Sequence, residues 1–177
     1  MRHALLLGEY QLCIDEKNRI LVPADLRAEI REAFGSEPDA QKLVLTMDHE
    51  RRLSLYPKKY FIELVSQIEQ DINPDEDERK FYRMLFSMSS SVELDGQGRV
   101  LIPERALRRA GMGREVTLIG SGDHLEIWNR PDWERDFDAN LPQLKEMGLR
   151  AKRARQSARQ VKRPLDRVSA ADVSTAE

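Results

Sequence analysis

The sequence predicts an α+β protein that is mainly β, with helices at its periphery, and three observations support this class. A nine-residue segment occurs twice along the 177-residue chain. Short segments with the alternating pattern of strands follow each copy, and segments with helical spacing lie between and after the copies. Apolar residues make up 40% of the chain, which is enough to build a core, while 34% of the residues are charged. A repeated unit of this kind determines the architecture of the chain.

The repeat joins DEKNRILVP, residues 15–23, to DGQGRVLIP, residues 95–103, at an offset of 80. Asp, Arg, Leu and Pro are identical between the copies, and the two remaining strand positions are β-branched in both. A second match, LSLYP at 53–57 with LEIWN at 125–129, has an offset of 72. The first copy therefore carries an eight-residue insertion, which is placed most simply in the loop-like segment FGSEPDAQ, residues 34–41.

Each copy predicts the same order of elements: strand, tight turn, short strand, proline, helix and two closing strands. The first strand covers 8–14 or 91–94, and the short strand covers 19–22 or 99–102. Proline then ends the strand because it cannot donate to a sheet ladder, and it suits the first turn of a helix. In the first helix Leu26, Ile30 and Phe34 share a face, and the shorter second helix ends at Gly111. Alternation pairs Leu53 with Leu55, and Leu125 with Ile127, on one face of the closing strands.

The chain is divided into a first unit at 8–60, connecting helices at 61–90, a second unit at 91–137 and a basic tail at 138–177. In the connection, Phe61, Leu64, Val65 and Ile68 predict one helix, and Phe81, Leu85 and Met88 predict another. The segment INPDEDE, residues 72–78, is interpreted as a break between them, with a turn at Asn73-Pro74 and a fully acidic run at 75–78. The tail is predicted to be disordered, its last ten residues above all. Its basic part, with nine cations and two acids from Lys145 to Arg167, has two open interpretations: a solvated helix, or an arm that contacts phosphates.

The Asp-x-x-x-Arg turn also has two interpretations. In the first, the turn is a folding device: the aspartate accepts backbone N–H groups and the arginine pairs with a carboxylate. In the second, a rigid hairpin presents the arginine, whose planar fork fits guanine or a phosphate in two-point fashion. The residues expected to shape the turns are Asp15, Asn18, Asp95 and Gly98, where Gly98 and Asn18 occupy the position that needs a positive φ. The candidate DNA contacts are Arg19, Arg99 and Lys17, with further positive charge on Arg27, Arg31, Arg105, Arg108 and Arg109.

Other classes of function find little support in the residues. The histidines His3, His49 and His124 fall at unrelated positions in the two copies, and no phosphate-binding glycine loop or nucleophile elbow is present. We therefore expect no catalytic residue, no metal, no cofactor and no enzyme activity, and a small hydrolase has the least support. The single cysteine, Cys13, lies in an apolar run and is expected in the core. No segment reaches the length of a membrane span or a signal peptide, so a cytoplasmic protein without membrane contact is expected.

The double Asp-x-x-x-Arg-x-x-x-Pro unit, together with FYRMLFSMSSSVELDGQGRVLIP and LIGSGDHLEIWNRPDW, resembles the MraZ family of bacterial transcriptional regulators. The resemblance covers 8–137 and is more specific in the second copy, because Asn18 stands where the family prefers glycine. It implies two AbrB/SpoVT-like swapped-hairpin β-barrel units that form a pseudo-dimer within one chain. It also implies a ring-shaped homo-oligomer that binds short direct repeats in double-stranded promoter DNA of the division and cell-wall gene cluster. The family's DNA-contacting arginines correspond to Arg19 and Arg99.

Two hypotheses follow from the sequence. The first is a sequence-specific, nucleoid-associated transcriptional regulator, indicated by the two matching basic turns. The second is an oligomeric scaffold or protein-interaction module of the same fold that does not read DNA. The formal net charge of −2 and the acidic run 75–78 favour the second slightly.

Overall fold

The structure, a computed structural model, describes residues 5–34, 41–66 and 75–161. Within these ranges, strands and helices follow the order that the repeat predicts. The strands are β1 (Glu9–Cys13), β2 (Arg19–Leu21), β3 (Lys42–Met47), β4 (Leu53–Pro57), β5 (Ser90–Glu93), β6 (Arg99–Leu101), β7 (Glu115–Gly120) and β8 (Leu125–Asn129). The helices are α1 (Ala24–Phe34), α2 (Lys58–Ser66), α3 (Glu76–Met88), α4 (Glu104–Ala110), α5 (Arg130–Asn140) and α6 (Leu144–Val161), with a 3-10 turn at Leu141–Gln143.

The two copies share one antiparallel sheet. Its strand order is β1-β7-β8-β4-β3-β5, and β2 and β6 form a separate two-stranded ribbon. The outer strand of each copy pairs with the other copy: Tyr10 of β1 lies opposite Leu118 of β7, and Val44 of β3 lies opposite Ser91 of β5. The antiparallel sheet with peripheral helices confirms the α+β class, and the exchange means that neither copy completes its sheet alone. Among the described residues, β1 and β5 each pair with one strand of the sheet and lie at its edges.

A local pseudo-two-fold axis relates the copies. In the ribbon, Ile20 lies opposite Val100, and these residues are equivalent in the sequence repeat. In the sheet, Ser54 lies opposite Glu126, which are equivalent in the second match. Because equivalent residues face each other at both places, the two turns of the repeat lie at opposite ends of the same ribbon.

The core lies between the ribbon, helix α1 and one face of the sheet. Leu26 and Ile30 are buried, as the helical spacing predicts, and so are Leu53, Leu55, Leu125 and Ile127 on the closing strands. Ile20, Val22, Val100 and Ile102 are fully buried beneath the ribbon. The alternation of each short strand therefore leaves its arginine and one leucine on the outer face.

Cys13 corrects one expectation: its side chain is exposed. The partly buried residues of β1 that pack against the core are Tyr10 and Leu12. Ile14, just after the strand, is buried. Cys13 lies between Leu12 and Ile14, so its side chain points to the other face of the strand.

The acidic run is also corrected. Asp75 is the N-cap of α3, where its carboxylate accepts the Glu78 N–H at 2.8 Å, and the following acids form the first turn. Acidic side chains favour this end of a helix because of the helix dipole. The run therefore begins a helix, although the segment 67–74 before it lies outside the described residues.

The described part of the tail is helical and not disordered, as one of the two interpretations of its basic segment allowed: α5 extends to Asn140, and α6 covers Leu144–Val161. The chain divides into two compact units, 1–134 and 135–177. Three sequence expectations lie outside the described residues, namely the insertion loop at 35–40, the place of Ile68 and the small polar end of the chain. In the described ranges no helix has the length and apolar character to cross a membrane.

Candidate nucleic-acid interface

The first turn, Asp15 to Arg19, is organised by a single carboxylate. Asp15 Oδ1 accepts the backbone N–H groups of Lys17 and Arg19, both at 2.9 Å. Asp15 Oδ2 accepts Arg19 Nε at 2.8 Å and Nη2 at 2.7 Å. Asn18 adopts a φ of 59° and donates its N–H to the Asp15 carbonyl at 3.0 Å. The residue that departs from the expected glycine therefore still takes up the left-handed conformation that the turn needs.

The second turn repeats these contacts. Asp95 Oδ1 accepts the N–H groups of Gln97 and Arg99, both at 2.9 Å, and Oδ2 accepts Arg99 Nε at 2.9 Å and Nη2 at 2.8 Å. Gly98 has a φ of 78°. The four residues expected to shape the turns all lie where the sequence predicts, and each arginine pairs with the aspartate of its own turn.

The arginine contacts hold the aspartates in the charged state. The hydrogen bond from Arg99 and then the backbone N–H groups of the turn lower the pKa of Asp95 to about 2. The same contacts from Arg19 lower the pKa of Asp15. Each carboxylate therefore remains charged far below neutral pH, and the ion pair fixes the direction of its guanidinium.

One edge of each guanidinium is not used by the ion pair. The ion pair uses Nε and Nη2, so the edge formed by Nη1 and Nη2 is available for a second two-point contact. Among the described residues, neither Arg19 nor Arg99 has a partner beyond its aspartate and its place in the ribbon. About a quarter of each side chain is exposed, 26% for Arg19 and 27% for Arg99. The functional and structural interpretations of the turn are therefore compatible.

The ribbon brings the two arginines onto one surface. Arg19 lies opposite Leu101, and Leu21 lies opposite Arg99. The ladder continues into the turns, because Val22 donates to the Gly98 carbonyl at 2.9 Å and Ile102 donates to Asn18 at 2.8 Å. Diagonal partners of this kind are about 7–8 Å apart at their backbones. The outer face of the ribbon is thus a compact patch of two clamped arginines and two exposed leucines.

Lys17 and Gln97 occupy equivalent positions at the tips of the two turns, and both side chains are exposed. Lys17 contributes only its backbone N–H to the hydrogen bonds of the turn, which it donates to Asp15. The tip of the first turn therefore carries one acid and one cation, Glu16 and Lys17, whereas the tip of the second turn, Gly96 and Gln97, carries no charge.

The surroundings of the two turns differ. Arg27 of α1 donates its Nε to the Val22 carbonyl at 3.0 Å and lies across Gly98, where an added Cβ would be only 2.5 Å from that Nε. At an offset of 80, the equivalent of Arg27 is Leu107, which lines a surface cavity together with Asn18. Glycine is therefore favoured at the second turn by the close approach of an arginine, which has no equivalent at the first turn.

The remaining arginines of the sequence prediction are divided among three places. Arg27 and Arg31 line a cavity beside the second turn with Asp95, and Arg108 lines the cavity beside the first turn with Asn18. Arg105 and Arg109 line a different cavity, next to α3. Each turn is therefore flanked by basic residues from the helix of the other copy.

Sequence reasoning missed a third Asp-x-x-x-Arg turn, Asp48 to Arg52, which connects β3 to β4. Asp48 accepts the Glu50 and Arg52 N–H groups at 2.9 Å and Arg52 Nε at 2.7 Å, as in the other two turns. Here, however, the guanidinium also pairs with Glu50 and lies 4.7 Å from the Trp128 ring centroid. The motif was readable in DHERR, but this arginine is engaged within the protein.

His124 belongs to a separate polar cluster beside β8. Its Nδ1 lies 2.6 Å from Asp123 Oδ1, its Nε2 lies 3.3 Å from Glu126 Oε1, and its ring stacks on Tyr56 at 4.5 Å. Burial opposes a charged imidazole, but the hydrogen bonds to Glu126 and Asp123 outweigh it and raise the pKa of His124. The His124 hydrogen bond lowers the pKa of Glu126 to about 2. Within the described ranges no group of three or more His, Cys, Asp or Glu side chains is arranged to hold a metal.

Comparison with known proteins agrees with the two-copy organisation. The profile of the family described as "MraZ protein, putative antitoxin-like" matches residues 5–84 and again residues 85–160. A relative from Clostridium tetani, named "Transcriptional regulator MraZ", is 32% identical over 77% of this chain and 90% of its own length.

Two further relatives bear the same name. The one from Methylococcus capsulatus is 34% identical over 80% of this chain and 93% of its own length. The one from Thermomicrobium roseum is 35% identical over 73% of this chain and 84% of its own length. Because both copies match the family profile and these relatives align with most of the chain, the protein belongs to the MraZ family.

Proposed function

We propose that the protein is a sequence-specific DNA-binding regulator of transcription, in which the outer face of the β2–β6 ribbon reads double-stranded DNA. The observation that carries this proposal is the pair of pseudo-symmetric arginines, Arg19 and Arg99, each held by an aspartate whose contacts leave the Nη1–Nη2 edge of the guanidinium unused. The major groove of B-DNA admits a two-stranded ribbon, and arginine pairs with guanine O6 and N7 in two-point fashion. The relatives named as transcriptional regulators support the same role.

The clamp explains why the arginines suit this task. A guanidinium that is already oriented loses less side-chain entropy on binding than a free arginine does. Each aspartate remains charged across the physiological range, so the orientation does not depend on pH. Lys17 adds a phosphate contact at the tip of the first turn, where its exposed side chain can reach the backbone of the duplex.

The proposed operator is a set of short direct repeats in the protein's own promoter, within the division and cell-wall gene cluster, and the reader is a ring of subunits. The exposed apolar side of α3 supports an oligomer: Phe81 is 59% and Met84 is 58% exposed, and no residue of that helix is buried. Exposed apolar patches of this kind are typical of protein–protein contacts. Linked sites multiply weak individual affinities through effective concentration. The exchange of β1 and β5 between copies supports AbrB-like swapped hairpins within each subunit.

The test of DNA binding uses Arg19→Ala combined with Arg99→Ala. Each two-point base contact contributes about 1–3 kcal/mol of discrimination, so the double variant should bind promoter DNA at least about thirty-fold more weakly. Fluorescence anisotropy with promoter and shuffled duplexes measures the loss, and circular dichroism checks that the fold remains. Lys17→Ala should weaken both duplexes equally. Undiminished binding by the double variant would exclude the ribbon as the reader.

The ring has its own test. Light scattering after size exclusion should give a multiple of the 20.5 kDa chain mass for the parent protein and a smaller assembly for Phe81→Ser with Met84→Ser. A parent mass of one chain would exclude the ring while leaving the DNA proposal intact.

An oligomeric scaffold that does not read DNA is the second candidate. The net charge of −2 and the exposed apolar side of α3 favour it. The anisotropy measurement separates the two, because a scaffold would bind promoter and shuffled duplexes equally weakly. On the DNA proposal the protein acts in the cytoplasm, at the nucleoid.

A further inference from the structure

Helix α6, Leu144–Val161, is a long basic helix whose described side chains are all exposed. Its 18 residues give a length of about 27 Å at the usual rise per residue. Every residue from Leu144 to Ser157 is exposed. A helix without a buried face gains no stability from packing within the chain, so its composition is not explained by the core of the protein.

The charge of α6 is opposite to that of the remaining chain. The helix holds six cations and one acid, a net charge of +5, whereas the whole chain has a net charge of −2. The residues outside α6 therefore total −7. The net negative charge of the chain outside α6 repels a DNA duplex at long range. The two turns by themselves therefore attract DNA poorly.

Most of the described cationic side chains of α6 form no ion pair. Arg150 pairs with Glu146 at 2.8 Å. Among the residues that the structure describes, Lys145, Lys152, Arg153 and Arg155 have no ion pair. Lys145, Lys152 and Arg155 follow at spacings of seven and three, which places them along one side of the helix.

We propose that α6 binds the phosphate backbone of DNA and supplies the sequence-independent part of the affinity, an inference that rests on the proposed function. The charge of the helix is complementary to a duplex, which carries one negative charge per about 1.7 Å of its axis. A lipid surface fits less well, because after Leu144 and Met147 the apolar side narrows to Gly148, Ala151 and Ala154. A second copy of α6 would bring like charges together.

The test uses the full chain with Lys145, Lys152, Arg153 and Arg155 all replaced by glutamine, which is also a good helix former. The matched control, Glu146→Gln with Arg150→Gln, removes the ion pair without changing the net charge. Affinity for promoter and shuffled duplexes is measured by anisotropy over a range of salt concentrations, and circular dichroism confirms that helix content is retained. Vesicles with and without anionic lipid are tested in parallel.

We expect the four-site variant to lose at least about tenfold in affinity for both duplexes near 0.1 M salt, with the salt slope shallower by up to about 3.6. The ratio of promoter to shuffled binding and the behaviour of the control should not change. An unchanged slope, a loss confined to the promoter duplex, or a loss confined to anionic vesicles would each overturn the inference. If the parent does not prefer promoter DNA, the proposed function fails, and the loss in the variant still decides whether α6 contacts phosphates.

Discussion

Replacing Gly98 by alanine should destabilise the protein more than a left-handed glycine alone would suggest. Gly98 has a φ of 78°, which alanine adopts only with strain. An added Cβ would also lie 2.5 Å from Arg27 Nε, 2.7 Å from its Cζ and 2.8 Å from its Cδ. Because these atoms belong to a flexible side chain, Arg27 should move and give up its hydrogen bond to the Val22 carbonyl.

The magnitude follows from these two effects. The left-handed conformation costs a non-glycine residue about 1–2 kcal/mol. Loss of a hydrogen bond from a charged donor costs about 1.5 kcal/mol at the lower end of its range. Alanine also restricts the unfolded chain more than glycine does, which offsets about 0.5 kcal/mol of this loss of stability. The free energy of unfolding should therefore fall by about 2–3 kcal/mol, which lowers the midpoint of thermal unfolding by roughly 4–12 °C for a chain of this size.

Urea denaturation of a set of glycine variants separates the effects. Gly122 has a φ of 82° with no atom within 4 Å of an added Cβ, so Gly122→Ala should show the conformational strain alone. Gly96 has neither a positive φ nor a close neighbour, so Gly96→Ala should be nearly neutral. In an Arg27→Ala background, Gly98→Ala should cost no more than Gly122→Ala does. If Gly98→Ala costs the same with and without the Arg27 side chain, the steric reasoning is wrong.

Two further perturbations test the other clusters. Arg52→Ala should lower the free energy of unfolding by about 1–2 kcal/mol, because it removes the Trp128 contact and the hydrogen bonds of the turn. The affinity for DNA should not change. Weaker DNA binding by the folded variant would place the DNA interface at the third turn. The second substitution is His124→Gln. Folding raises the pKa of His124, so the charged imidazole stabilises the folded protein fully below about pH 6.5. This stabilisation is lost as the pH rises through the folded pKa. The stability difference between parent and variant, measured in urea from pH 6 to 9, should therefore shrink with rising pH; a constant difference would show that His124 does not gain charge stabilisation.

Local patterns predicted the interior of the fold well. Alternation on the closing strands identified Leu53, Leu55, Leu125 and Ile127, because the period of a strand fixes which side chains share a face. The same rule contradicts the expectation for Cys13. The cysteine lies between Leu12 and Ile14, so a strand that turns both of them inward turns Cys13 outward. Apolar neighbours indicated burial, but the register of the strand decided the face.

Pairing between the copies was beyond what local patterns could determine. The repeat predicts equivalent strands but does not say whether β1 pairs within its copy or with β7, which is more than 100 residues away in the chain. The family resemblance supplied that expectation. The tail was misjudged for a related reason: composition indicated poor core formation, yet lysine, arginine, alanine and glutamine are good helix formers, and α6 needs no core to be helical.

The Asp-x-x-x-Arg motif acquires its proposed function from its place in the fold. Three turns share the same carboxylate contacts, so the hydrogen bonding by itself describes only a stable way to reverse the chain. The guanidinium of Arg52 also contacts Glu50 and the Trp128 ring, whereas Arg19 and Arg99 lie on a ribbon whose inner face is fully buried. That burial forces both arginines to the outer face and keeps them at a fixed spacing. Duplication of a folding device, followed by antiparallel pairing of the two copies, is therefore sufficient to place two arginines on one face, the surface that we propose to bind DNA.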